Sequence, residues 1–402
     1  MTNRELFHAT MRGENGGDLL HFEQGFNVPW KKWQQQGLPA HVDASGVKID
    51  VKETLYDHFN VTSFYCPGRD SVNPFRHPQC EWQKLSDDGE RITYINGLGN
   101  TMMELTQKAK EARNDGSNIG GLFHEIAFAI NCRRDYEALR ENYTGNIAAR
   151  CDAAWAAQNA AVCNSQQDFP ATFFVHGPFA FLRVLLGTEA AMAAPYEDPA
   201  WVRMMLRDHL DTMAGVLDTL AKHLRFDMTF VWEDCCGGSG PFMSPPIFDE
   251  AYAWWYREWK DFTRSIGIPW AWLDTDGDPS PLVTRWYENG IDCMLPWEVN
   301  GVDMLKFAEA YPKYKMMGGI YKHMFEPTAP AQVGKFNTKI AREAIDQELR
   351  RVVAPMRKRG GYFPSLDHGA FWGVEYPDYQ YYCDKMLEYG KANNSLRKPP
   401  VK

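Results

Sequence analysis

The chain of 402 residues lacks an apolar run long enough to cross a bilayer. Its start, Met1-Thr2-Asn3-Arg4-Glu5, lacks the apolar core of a secretory leader, so neither a membrane protein nor an exported one is expected. A basic stripe is missing too. With 43 Lys and Arg against 52 Asp and Glu the net charge is −9, and nucleic acid is not an expected partner. The densest basic stretch, Arg350-Arg351 with Arg357-Lys358-Arg359, reads as the solvated end of a helix. The nine cysteines are odd in number and have neither the spacing of a disulfide framework nor a CxxC pair. A chain this long needs no staples, so reduced thiols and a cytoplasmic location are expected. No low-complexity segment and no exact repeat appear.

Apolar residues, by contrast, make up 44% of the chain, enough for a sizeable core. Aromatics make up 14%, with 14 Trp. Core filling is the commoner use of such side chains, and walling a pocket for a planar ligand is the other.

Strand-like and helix-like patterns alternate. Candidate strands lie at 18–26, near 61–65, and at 171–175, 228–232, 268–273, 291–295, 315–320 and 361–365. Helical patterns cover 123–165, 198–224, 248–265, 281–289, 302–311, 339–354 and 377–391, and Pro355 is expected to end or kink the helix before it. Eight strands with intervening helices predict an α/β fold, most simply a (β/α)8 TIM barrel. An open doubly wound sheet is the alternative. Residues 80–97, with the turn Asp87-Asp88-Gly89, read as a β-hairpin inserted near the N-terminus. The expected organisation is one barrel domain over 1–392 with that hairpin as an appendage, and a loose tail over 393–402.

Acids recur where the apolar runs stop. Asp274-Thr275-Asp276-Gly277-Asp278 follows Ile268-Pro269-Trp270-Ala271-Trp272-Leu273. Glu23, Glu233-Asp234, Glu298 and Asp367-His368 hold similar places, and His176 follows the 171–175 run. In a parallel barrel the strand C-termini form the active-site mouth, so these residues would converge there. Clustered carboxylates repel, and their burial has to be offset by a metal, donors, a cation or a shared proton. Other readings stand beside this one. Asp278 could be a helix cap, Glu233 an arginine partner and His176 a core imidazole, while Cys235-Cys236 read as structural.

Taken in order, several segments resemble the uroporphyrinogen decarboxylase-like superfamily, in its branch of corrinoid-dependent methyltransferases. They are Phe22-Glu23-Gln24-Gly25-Phe26 with Trp33 and Gly37-Leu38-Pro39; Trp232-Glu233-Asp234 before a Gly-rich loop and Met243-Ser244-Pro245; and Asp276-Gly277-Asp278 with Glu288-Asn289-Gly290-Ile291-Asp292. Pro296-Trp297-Glu298, Gly318-Gly319-Ile320 and Gly361-Tyr362-Phe363-Pro364-Ser365-Leu366-Asp367-His368-Gly369 complete the set. The family fold is a (β/α)8 barrel. The decarboxylases of that superfamily grip substrate carboxylates with an arginine-rich first loop, and this chain has Glu23 and no arginine there. Thiol-methylating members bind zinc with a His-x-Cys-Gly motif, and this chain has Asp274-Thr275-Asp276-Gly277.

The resemblance therefore implies an O-demethylase component. It would take a methyl group from a small donor, such as an aryl methyl ether, and pass it to the Co(I) corrinoid of a partner protein. Glu233, Asp234, Glu298 and His368 are the expected acid/base groups. Glu23, His176, Trp232, Trp272, Trp297 and Trp372 are the expected substrate contacts. Asp274, Asp276 and His368 are the expected ligands of a metal, with Glu233 and Glu298 as further candidates; zinc is the candidate metal and a metal-free site the alternative. A homodimer is a further expected assembly. The competing functions are a lyase acting on a smaller carboxylated substrate and a barrel that binds a ligand without turnover.

Overall fold

A computed structural model of the chain describes residues 1–43, 53–112, 123–371 and 373–390. Its centre is a six-stranded parallel sheet. In chain order the strands are Thr172–His176, Met228–Trp232, Trp270–Asp274, Cys293–Leu295, Lys315–Ile320 and Tyr362–Leu366, and each pairs with the next. That order has no reversal, unlike a doubly wound sheet. Helices Pro199–Ala221, Ala253–Ser265, Val283–Glu288, Met304–Ala310 and Ala341–Arg359 connect successive strands, and Tyr376–Gly390 follows the last.

The first two of the eight expected strands are not regular strands. Their places are held by isolated parallel bridges, Phe22 to Thr62 and Tyr65 to Ala171. Phe22 N–H also donates to Pro364 O (2.9 Å), and Thr172 N–H to Tyr65 O (2.7 Å). These two segments thus touch both edge strands of the sheet.

Side chains of alternate parity go to opposite faces. One face carries Phe230, Trp272, Cys293, Met317 and Phe363, packed with Phe22 and with Leu6, Phe7 and Met11 of the helix Asn3–Arg12. Arg4 and His8 of that helix reach Asp227, just before the Met228–Trp232 strand, at 2.9 and 2.8 Å, which seats the helix at the strands' N-terminal ends. The other face packs on the surrounding helices and forms the larger core. Burying one Leu- or Phe-sized side chain contributes roughly 2 kcal/mol, so these two aromatic-rich layers dominate the stability.

Several expectations are corrected. The inserted hairpin is the first half of a four-stranded antiparallel sheet, Gln83–Asp87, Arg91–Ile95, Thr101–Leu105 and Phe123–Ala127. Residues 123–127 are therefore strand and not the start of a helix. The helix Ala341–Arg359 runs through Pro355, because buried Val352, Val353 and Met356 hold its last turns on the core. The tail 393–402 and Trp372 lie outside the described residues. Among the described residues no helix is long and apolar enough to cross a membrane.

Candidate functional site

The strand ends set the geometry. His176, Trp232, Asp274 and Leu295 pair across four neighbouring strands, so they share one level of the sheet and one face. Two residues earlier, Phe174, Phe230, Trp272 and Cys293 form the level beneath. Trp272 is wholly buried there, with ring centroids of Phe363 at 4.8 Å and of Phe7 and Phe22 at 5.5 Å. It is the floor of the site and not a wall.

Above that floor, loops following different strands bring three ionisable side chains together. His368 Nε2 lies 3.1 Å from Asp276 Oδ1, and His368 Nδ1 lies 3.3 Å from Glu298 Oε1. The second contact is not aligned as a hydrogen bond, and Nδ1 is buried without a partner. Glu298 is itself held by Gly277 N–H, 2.6 Å from its Oε2. Gly277 has φ +75°, and a side-chain carbon there would come 2.5 Å from Gly237 O, so this turn packs backbone against backbone and requires glycine. Gly369 is similar: φ is +70°, and a side-chain carbon would meet Gly25 O at 2.5 Å, which locks the His368 loop onto the first loop. Asp367 ties the same loop to its neighbours by accepting from Val299 N–H (3.2 Å) and Lys322 N–H (3.1 Å).

The electrostatics follow from this placement. Burial alone would lower the His368 pKa, but the hydrogen bond and charge of Asp276, with Glu298 behind, outweigh it and hold the imidazole above its ordinary value. Asp274 is pushed the opposite way for an acid. Burial, then the charge of Asp276, holds its carboxyl well above the usual carboxylate range, and its Oδ1 is buried without a hydrogen-bond partner. A His368 imidazole biased toward its protonated form thus lies near an Asp274 carboxyl biased toward its neutral form, and in those forms both can donate to a developing negative charge.

Other expected site residues lie elsewhere. Glu233 is fully buried between strand and helix. Its Oε2 accepts from Ala180 N–H (2.9 Å) at the start of the helix Pro178–Leu186, Tyr256 O–H donates to its Oε1, and burial pushes its pKa up to about 7. Glu23 is also fully buried, held by His21 Nε2 and Tyr382 O–H, both 2.9 Å from Oε1. Trp297 packs outward on Phe307 (5.6 Å) and donates its indole N–H to Met294 O at 2.9 Å. Asp278 caps a turn, accepting from Ser280 N–H at 2.9 Å. Asp234, with φ +45°, is clamped by Arg183, whose guanidinium donates to its Oδ2 and its backbone O, both at 2.8 Å. Trp232 and His176 do line the strand-end level, with ring centroids 5.4 Å apart.

The expected metal set is not assembled. Among the described residues no group of three or more His, Cys, Asp or Glu side chains is arranged to hold a metal ion. Asp276 occupies His368 Nε2 at hydrogen-bond distance, where a zinc bond of about 2 Å would have to form. A cavity of about 380 Å³ beside Pro195, Arg203, Ile247 and Trp254 includes none of the strand-end residues. Two cationic residues at the mouth were not legible beforehand. Arg183 interrupts the apolar helix Pro178–Leu186 and Arg69 lies in the loop Gly68-Arg69-Asp70, so neither ends a strand-like run as the acids do.

The fold and site together define an α/β protein with an acid–imidazole cluster at the carboxyl ends of a singly wound parallel sheet. No family model matches the chain, and no curated protein matches it. Among solved structures it is similar to a methyltransferase from Methanosarcina mazei, over 96% of this chain and 99% of that one, with a TM-score of 0.59 and 12% sequence identity. At that identity the likeness shows the fold.

Proposed function

We propose that the chain is a methyltransferase of the corrinoid-dependent branch of the uroporphyrinogen decarboxylase-like superfamily. Its sheet closes into a (β/α)8 barrel through the bridged segments around Phe22 and Tyr65. The reaction is removal of a methyl group from a methoxylated aromatic donor. One observation carries this reading: His368 is bracketed by Asp276 at 3.1 Å and Glu298 at 3.3 Å where the strands end. Likeness over the whole length to a methyltransferase supports it.

An aryl ether releases its methyl group only if the departing phenolate oxygen is stabilised. His368 is suited to supply the proton, because Asp276 holds the ring through Nε2 and leaves Nδ1 without an aligned partner. Asp274, half-buried nearby with its carboxyl biased toward the protonated form and its Oδ1 unpartnered, adds a donor. The aromatic floor around Trp272 keeps water from below. A corrinoid carried by a partner protein supplies the nucleophile that accepts the methyl group. All nine cysteines are free, which supports a cytoplasmic setting.

The test is incubation of the purified protein with a reduced corrinoid protein and a panel of methoxyarenes, following demethylated product and methylated acceptor together. Equal amounts of both are expected. No transfer from any donor contradicts the reading, and corrinoid-independent release of carbon dioxide from a carboxylated substrate would replace it with a lyase.

A further inference from the structure

At the strand ends, the Arg69 guanidinium has no ion-pair partner among the described residues. Arg69 stands in the short turn Arg69–Ser71, after the Tyr65 bridge, and is exposed. Its guanidinium carbon lies 4.7 Å from the centroid of the Phe174 ring. Among the described residues that guanidinium has no ion-pair or hydrogen-bond partner. Arg183, on the same wall, differs: it lies 5.2 Å from the Trp232 ring centroid and is closed off by Asp234.

His176 lies between the two guanidinium-capped rings. Its centroid is 5.3 Å from Phe174 and 5.4 Å from Trp232, both edge to face, and 4.7 Å from Phe75. Its backbone carbonyl faces His209 Nε2 at 2.8 Å, but its ring Nδ1 is buried with no partner. Burial, then the charges of His209, Arg69 and Arg183, pushes the imidazole pKa down to about 3, so the ring is neutral and can offer one N–H. A planar guanidinium lying on an aromatic face, next to an unfilled imidazole nitrogen, matches a planar anion with an apolar body. Arginine binds carboxylates through two parallel N–H groups, and the neighbouring rings fit an aromatic ring.

We propose that Arg69 and His176 form an anion subsite for an aromatic carboxylate, with the carboxylate on the Arg69 guanidinium and the ring among Phe75, Phe174 and Trp232. The level that carries His176 and Trp232 continues to Asp274, so the subsite lies on the same floor as the His368 cluster. The inference rests on the methyl-transfer reading only in making this carboxylate the anchor of the methoxylated donor.

Titration calorimetry of the full chain with benzoate, 4-methoxybenzoate, benzamide and methoxybenzene tests it. Both carboxylates should bind, and the uncharged pair should bind at least about tenfold more weakly. Arg69→Met, a change at an exposed side chain, should remove that preference, Arg69→Lys should restore part of it, and His176→Gln should weaken benzoate binding by a smaller factor. Equal affinity for benzoate and benzamide, unchanged benzoate affinity in Arg69→Met, or no benzoate binding at all would overturn the proposal. Methyl transfer from methoxybenzene without benzoate binding would sink the subsite alone. Arg69-dependent benzoate binding with no methyl transfer from any donor would leave the subsite standing and remove the functional reading.

Discussion

Glu233 and Glu298 both follow parallel strands, yet their surroundings differ. Around Glu233 the protein closes completely: Ala180 N–H serves one oxygen, Tyr256 O–H the other, and no part of the side chain is exposed. Around Glu298 it closes halfway. Gly277 N–H holds one oxygen, while the other faces His368, and over a quarter of the side chain is open. An acid at a strand end serves the fold when protein donors cover both of its oxygens. It is available for chemistry when one oxygen faces an ionisable neighbour at the opening.

Substitutions at these two places should break in different ways. The largest effect is expected at the open cluster: His368→Gln should lower methyl transfer by about 10²- to 10⁴-fold, with the urea midpoint nearly unchanged. A midpoint shift as large as a core mutation's would place His368 with Glu233 and erase the contrast. Next comes Glu233→Ala, which strands Tyr256 O–H and Ala180 N–H in the interior and should cost about 3 kcal/mol by chemical unfolding.

The pH dependence of stability sharpens the same point. Glu233 keeps its proton to about pH 7 in the folded protein, against 4.5 for an ordinary glutamate. The folded state therefore binds more protons between those values, and stability should fall as pH rises through that window. Glu233→Gln should flatten the slope, and an unchanged slope would contradict the buried assignment. A smaller loss is expected for Gly277→Ala. The +75° backbone and the close Gly237 carbonyl should cost about 1–3 kcal/mol and displace Asp276 and Glu298 together, so activity should fall more than stability does.

The order of strands and the gathering of acids at their ends were legible in the sequence, because apolar runs and the polar residues that stop them survive without tertiary information. The face each acid takes was less so, although a signal existed. Phe22 and Trp232 belong to the inner face of the sheet, so their neighbours Glu23 and Glu233 must point outward by strand alternation. Strands Thr101–Leu105 and Phe123–Ala127 escaped notice because Glu104, His124 and Glu125 interrupt the apolar pattern on a sheet that is largely exposed. Pro355 misled because packing overrode a local rule. The segments around Phe22 and Tyr65 were legible as extended chain, but their reduction to single bridges depends on their partners.

Asp276 holds His368 as a proton-carrying group. Imidazole NMR titration of His368, in the native protein and in Asp276→Asn, tests this most directly. A native pKa above the ordinary histidine value of 6.5 that drops in Asp276→Asn is predicted. A native value at or below 6.5 that the substitution leaves unmoved would contradict it.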